Sequence, residues 1–325
     1  MHVATQAESE WKPAGLFRLG SHDKESSFMY QRHFRQSISI AAFVLLFAFG
    51  SISAKAQERK TVGGSKFASL GDAKIYYMNY GEGREALVLI HGWTQSIDAW
   101  RDQIPELAKR NRVIAIDLPG HGESDKPKTK YSMEYFARAV EAVMRDAKVN
   151  RAVLVGHSMG TPIARQFYRK YPSKTLAIVI VDGALKPFAD APAMNRLVEA
   201  LRSPNYKEVI AQMFTGMMGP NMKPEIKERI SSSTSNTPQH VLVSAMEGMT
   251  DPSIWDDDKI NVPVLAIMAK NPSYPPNIEE LTRLLAPNLE FHMWEGVGHF
   301  LMMEKPEEFN ATVITFLDKN KLLTK

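Results

Sequence analysis

Gly156-His157-Ser158-Met159-Gly160 sets a serine between two glycines, directly after the apolar run Ala152–Val155 and ahead of a helical pattern at Pro162–Tyr171. This is G-x-S-x-G in strand-then-helix context, the arrangement that lifts a serine hydroxyl out of a sharp turn as a nucleophile. Side chains at positions 156 and 160 would collide in such a turn, so glycine is needed at both. A serine alone is a weak nucleophile and needs a base. Among the nine histidines, His299 sits in a glycine-containing loop, Gly296-Val297-Gly298-His299-Phe300, after the last strand-like run. His2, His22 and His33 lie near the N-terminus. His157 reads as a packing residue, and His91 and His121 read as hydrogen-bonded turn residues. The chemistry this pattern predicts is acyl transfer, with His299 deprotonating Ser158. The oxyanion that follows needs two backbone N–H donors, expected from Met159 and from Trp93 in the loop Leu89-Ile90-His91-Gly92-Trp93.

A strong scaffold has to hold these groups, and the pattern outlines it. Lys74–Tyr80, Leu87–Ile90, Val113–Ile116, Ala152–Val155, Leu176–Val181, Val264–Met268 and Leu289–Trp294 read as strands, with helical patterns at Trp100–Lys109, Tyr131–Ala147 and Pro162–Tyr171. Near-continuous apolar strands alternating with helices predict a parallel sheet covered on both faces. The alternation stops from Leu185 to Lys259, a helical, methionine-rich stretch, and a last helix is expected from Pro306 to Leu323. The predicted division is an α/β core at 57–184 and 261–325, with a helical cap at 185–260. Met194, Met213, Met217, Met218, Met222, Met246 and Met249 put flexible apolar side chains in that cap, which favours a small to medium hydrophobic acyl substrate.

Composition limits the alternatives. The chain has 325 residues, 44% of them hydrophobic, and a formal charge of +4 without a basic block, which makes nucleic acid an unexpected partner. The absence of cysteine removes disulfides, thiolate metal sites and a cysteine nucleophile. Gly81-Glu82-Gly83 precedes a strand instead of opening a helix, so no phosphate cradle is read. Asp256-Asp257-Asp258 lacks spaced His or Glu partners and reads as a solvated loop; neither metal nor cofactor is expected.

The N-terminus has its own composition. Arg32 and Arg35 precede an apolar stretch, Ile38–Phe49, and Ala54-Lys55-Ala56 supplies small residues at the positions a signal peptidase reads, so residues 29–56 are expected to be a signal peptide cleaved after Ala56. A core of about a dozen apolar residues is too short for an ordinary membrane span. Residues 1–28 read as an extension ahead of a true start at Met29. The mature chain from Gln57 would carry 34 basic against 32 acidic residues and be exported to a periplasm or the exterior, with no stable membrane span after cleavage; an uncleaved segment would anchor it to the membrane.

From Phe67 to Leu323 the chain resembles the α/β-hydrolase family. The resemblance rests on His91-Gly92-Trp93, on Asp117-Leu118-Pro119-Gly120-His121-Gly122-Glu123-Ser124-Asp125, on the serine turn and on Gly296–Phe300, in family order. It implies a mostly parallel eight-stranded sheet with helices on both faces, a helical cap inserted after the sixth strand, and a Ser-His-acid triad. It fixes no substrate: esterases, lactonases, carbon–carbon bond hydrolases and even hormone receptors share the fold. Thr161-Pro162 departs from the family, standing where a second glycine is common. In much of the family the acid follows the seventh strand, where this chain has Ala269-Lys270-Asn271-Pro272-Ser273 and no carboxylate. A minority places it after the sixth strand, where Asp182-Gly183 stands. Asp182 is the preferred acid, with a degenerate site at Asn271 as the alternative. Asp117 and Asp125 precede Ser158 and read as turn-stabilising. The expected function is an exported serine hydrolase of carboxylic esters; a lactonase or carbon–carbon hydrolase, and a ligand-binding protein on a degenerate triad, remain open.

Overall fold

The computed structural model describes residues 63–187, 189–272 and 274–323. The expectations for residues 1–28 and 29–56 lie outside the described residues. In chain order the elements are β1 (Gly64–Leu70), β2 (Ala73–Tyr80), β3 (Glu85–Ile90), α1 (Ile104–Leu107), β4 (Val113–Ile116), α2 (Met133–Asp146), β5 (Arg151–His157), α3 (Gly160–Lys170) and β6 (Thr175–Val181). Four helices follow before the sheet resumes: α4 (Ala191–Arg202), α5 (Tyr206–Met217), α6 (Pro224–Ser235) and α7 (Gln239–Thr250). The chain closes with β7 (Val264–Ala269), α8 (Ile278–Leu285), β8 (Leu289–Trp294), α9 (Leu301–Glu304) and α10 (Pro306–Lys319).

The eight strands form one sheet in the order β1-β2-β4-β3-β5-β6-β7-β8, and only β2 runs against its neighbours. Val153, Val155, Val179 and Leu265 in the central strands are wholly buried, because helices cover both faces and no side of a parallel strand is left to water. Strand β1 behaves differently. Only Ala68 of its seven residues is buried, so it carries no apolar period, and it is absent from the expected strands, which begin at Lys74.

Two helices differ from expectation. Trp100–Lys109 is not one helix but a 3-10 turn at Ile97–Trp100, a bend, and the four-residue α1. Pro105 has no N–H, and in a continuous helix its ring would meet the carbonyl of Arg101. Asp117 Oδ1 also accepts from the Ile97 N–H at 2.7 Å, holding the turn where it starts. The last helix stops at Lys319, not Leu323, since Lys321 and Leu323 adopt φ of 52° and 55°, outside helical space.

The helices between β6 and β7 are held at both ends by α3. Arg165, 1% exposed, donates from Nη1 to the Leu185 carbonyl at 2.8 Å and from Nη2 to the carbonyls of Asp256 and Asp258. Arg169 Nε adds 2.9 Å contacts to both carboxylate oxygens of Asp258, and Lys186 pairs with Asp257. Asp257 and Asp258 are therefore exposed but paired and the Asp256 carbonyl is held by both arginines, a clasp on the insertion instead of a free loop. Among the described residues, no group of three or more His, Asp or Glu is placed to hold a metal ion, and no helix is long and apolar enough to cross a membrane.

Candidate functional site

The turn after β5 is as tight as its glycines suggest. Strand β5 ends at His157 and α3 begins at Gly160, leaving Ser158 at φ 52°, a left-handed conformation that costs of order 1–3 kcal/mol for a non-glycine residue. A Cβ on Gly156 would stand 2.4 Å from the Gly160 carbonyl oxygen, and one on Gly160 would stand 2.4 Å from that of Ile90. Both contacts are with backbone, so no side chain can swing aside to relieve them. The turn is held from below by Ser158 N–H donating to the Val181 carbonyl at 3.0 Å, and Thr161 Oγ1 donates to the Gly156 carbonyl. Thr161 thus does hydrogen-bonding work where the resemblance leads one to expect glycine.

At the neighbouring strand end, Asp182 also has a positive φ, 42°. Its Oδ2 lies 2.6 Å from His299 Nδ1, its Oδ1 accepts from the Ala269 N–H at 2.8 Å, and the Tyr274 hydroxyl donates to Oδ2 at 3.2 Å. The carboxylate is 3% exposed and offers three donors a place to point. With Nδ1 donating to Asp182, the His299 ring presents Nε2 as its lone pair. Asn271 lies on the cavity wall, and its carbonyl accepts from the Tyr274 N–H. Tyr274 is a residue that sequence reasoning missed: no spacing marks it, because the bond spans 92 positions. Burial and the Asp182 carboxylate both raise its phenol pKa, which keeps it a donor.

His299 is fixed by its backbone as well. Its N–H donates to the Met217 carbonyl at 2.8 Å, and His157 Nε2 contacts its carbonyl at 2.9 Å. Glu304 accepts from the Gly298 N–H at 2.8 Å, anchoring the loop one residue earlier. Asp117 Oδ2 accepts from the Glu123 N–H and Asp125 Oδ2 from the Lys74 N–H, both at 2.8 Å, as expected of turn residues.

Ser158, His299 and Asp182 line a single cavity of about 340 Å³ at the carboxyl edge of the sheet. Trp93 and Met159 line it too, from the ends of β3 and β5. Its roof comes from the insertion: Met213, Phe214 and Met217 of α5, and Met246 and Met249 of α7. Of the other expected methionines, Met218 and Met194 line neighbouring cavities and Met222 is buried in the core.

Three histidines under this site are buried and uncharged. Burial pushes His91 down to about 3 and His121 to about 4, and it holds His157 well below the usual imidazole range. His91 Nε2 accepts from the Leu118 N–H, which fixes its tautomer. In the unfolded chain these rings take up protons below pH ~6.5, whereas in the fold they stay neutral down to their lowered values. Stability is therefore full above pH ~6.5 and is lost as pH falls toward 4. Asp117, raised to about 6 by burial, and Glu304, also raised by burial, work in the opposite direction, but they are two groups against three. Urea unfolding at pH 5 should give a stability at least ~2 kcal/mol below that at pH 7, given 1.36 kcal/mol per pKa unit per group. Equal midpoints at both pH values would contradict this account.

Serine turn, histidine loop and sheet order together define a class. The chain belongs to the α/β-hydrolase fold family: residues 85–211 match its sequence profile, and the whole eight-stranded architecture matches its solved members. A solved N-acyl homoserine lactone degrading enzyme, Est816, is 30% identical, superposes with a TM-score of 0.68, and is covered along 100% of its length by 77% of this chain. The soluble epoxide hydrolase of Corynebacterium sp. (strain C12) is 25% identical over 77% of this chain and 95% of its own. A 2-hydroxy-6-oxononadienedioate/2-hydroxy-6-oxononatrienedioate hydrolase of Paraburkholderia phymatum is 26% identical over 76% and 91%.

Proposed function

We propose that this hydrolase cleaves carboxylic esters or lactones of hydrophobic acyl compounds through Ser158, His299 and Asp182. The observation that carries this reading is the 2.6 Å contact between His299 and Asp182 in the same cavity as a serine on a strained turn. His299 Nε2 takes the Ser158 proton as Oγ attacks the substrate carbonyl. The N–H groups of Trp93 and Met159 receive the oxyanion, Asp182 stabilises the imidazolium, and His299 then protonates the departing alcohol. Water, deprotonated by the same histidine, attacks the acyl-enzyme and releases the acid. In a lactone the departing alcohol stays on the acyl chain, and the steps are otherwise the same.

The serine helps choose among the relatives' chemistries. A serine oxygen opening an epoxide would leave an alkyl ether, which water attacking a carbonyl carbon cannot release. A carbonyl substrate leaves an ester, which it can. The mainly apolar cavity under four methionines supports an acyl group over a sugar or phosphate. Est816, named for degrading N-acyl homoserine lactones, makes that lactone class the first to try beside simple esters. The basic-apolar-small pattern at 29–56 supports export of the enzyme.

The test is hydrolysis of p-nitrophenyl esters from acetate to laurate and of straight-chain N-acyl homoserine lactones by the purified protein. Turnover with an optimum in chain length is expected. If no ester and no lactone is cleaved, the proposal falls.

A further inference from the structure

Helix α5 has a cavity on each side. Met213, Gly216 and Met217 face the cavity that holds Ser158, while Lys207, Ile210, Ala211 and Met218 face a second one of about 230 Å³ between α5, α6 and the start of α7. Phe214 lines both. Its ring stacks on Trp93 at 6.3 Å between centroids and lies 5.9 Å from that of Phe300, so one face of the partition is the residue expected to hold the oxyanion. Trp93 is itself held by its indole N–H, which donates at 3.1 Å to the carbonyl of Leu242, a residue of the second cavity. The inner wall of that second cavity is apolar, built from Ile210, Ile230 and Leu242, all buried.

We propose that Phe214 is the specificity-determining residue for acyl chain length: it ends the acyl site at a single aromatic partition, beyond which lies a second lobe with an apolar inner wall and a polar rim of serines and threonines. This rests on the reading of the main cavity as an acyl site. An acyl chain growing away from Ser158 past Trp93 meets the Phe214 ring, and further methylenes have no apolar surface to bury. With the ring removed, the two cavities join and the chain continues into the second lobe. Each methylene seated there is worth about fourfold in affinity, the equivalent of ~0.8 kcal/mol per buried CH₂.

The test uses binding as well as turnover, so that it does not depend on catalysis. Calorimetric Kd values for straight-chain carboxylates from hexanoate to laurate should improve with length in the native protein and then level off. In Phe214→Ala the levelling should move to longer chains, with laurate gaining at least tenfold over octanoate relative to the native protein. Phe214→Leu, which keeps more of the helix packing, should shift it in the same direction by less. Ala211 is exposed on the lobe side, and adding Ala211→Trp to Phe214→Ala should fill the lobe and restore the native limit. The ratio of kcat/KM for laurate to butyrate p-nitrophenyl esters should follow the same order. If the levelling stays at one length in folded Phe214→Ala and Phe214→Leu, the partition is overturned even where esters are hydrolysed. If the levelling moves but no ester is cleaved, the partition stands and the hydrolytic reading fails.

Discussion

Replacing Ser158 with alanine is expected to lower kcat for ester hydrolysis by about 10⁶, close to the whole contribution of a serine-based triad. The substitution removes one oxygen and keeps the Cβ, so the turn has no new contact to accommodate. The backbone keeps its φ of 52°, its N–H bond to Val181 and the glycine approaches at 156 and 160. Loss of activity with an unchanged thermal midpoint would therefore report on the nucleophile and not on the fold. Covalent labelling by a fluorophosphonate should vanish in parallel, since the label forms a bond to the same oxygen. A variant that still turned over esters at a tenth of the native rate would place the reaction elsewhere.

Asp182→Asn is expected to cost about 10⁴ in kcat, with much less effect on KM. The hydrogen-bond arrangement explains why an isosteric change is so harmful. Three donors converge on Asp182: the Ala269 N–H, the Tyr274 hydroxyl and His299 Nδ1. An amide whose oxygen satisfies Ala269 turns its NH₂ toward His299. The ring then adopts the other tautomer, with Nδ1 accepting and Nε2 carrying a hydrogen, and it can no longer take the serine proton. The imidazolium also loses its counter-charge. Asn271→Ala, by contrast, should change kcat by less than tenfold, because the group that reaches His299 Nδ1 is Asp182. If Asn271→Ala were crippling and Asp182→Asn mild, the acid would be assigned to the wrong strand.

The two variants together separate readings that share a fold. A binding protein on an inactive framework would be indifferent to both. A serine hydrolase responds to both, by different amounts and for different reasons.

Much of this protein is readable in the chain because the signals are local. Buried parallel strands must be apolar along most of their length, so β3 to β7 stand out as Val-, Ile- and Leu-rich runs close to their observed limits. The edge strand β1 has one buried residue and leaves hardly a trace. The serine turn is legible for a steric reason: backbone atoms come within 2.4 Å of where a Cβ would be, and only glycine permits that. The loop around His299 is equally local, a glycine-containing segment after the last strand.

What the sequence could not decide depends on which distant segments meet. Asp182 and Asn271 both follow adjacent strands, β6 and β7, and chain order leaves either able to serve His299. The tertiary structure brings Asp182, 117 positions away, to the ring and adds Tyr274 and the Ala269 N–H around it. The methionines read as a roof from composition alone, but which of them faces the serine depends on the rotation of α5 and α7 about their axes. Phe214 carries no motif, since a residue becomes a partition only when cavities form on both sides of its helix. The sequence by itself determined the strands, the strained serine turn and the histidine loop, all set by sterics and burial within a few residues. The contact that joins Asp182 rather than Asn271 to His299, the clasp of Arg165 on the insertion and the limits of the cavity come from the tertiary structure, because each is a contact between segments whose separation along the chain carries no information about their distance in space.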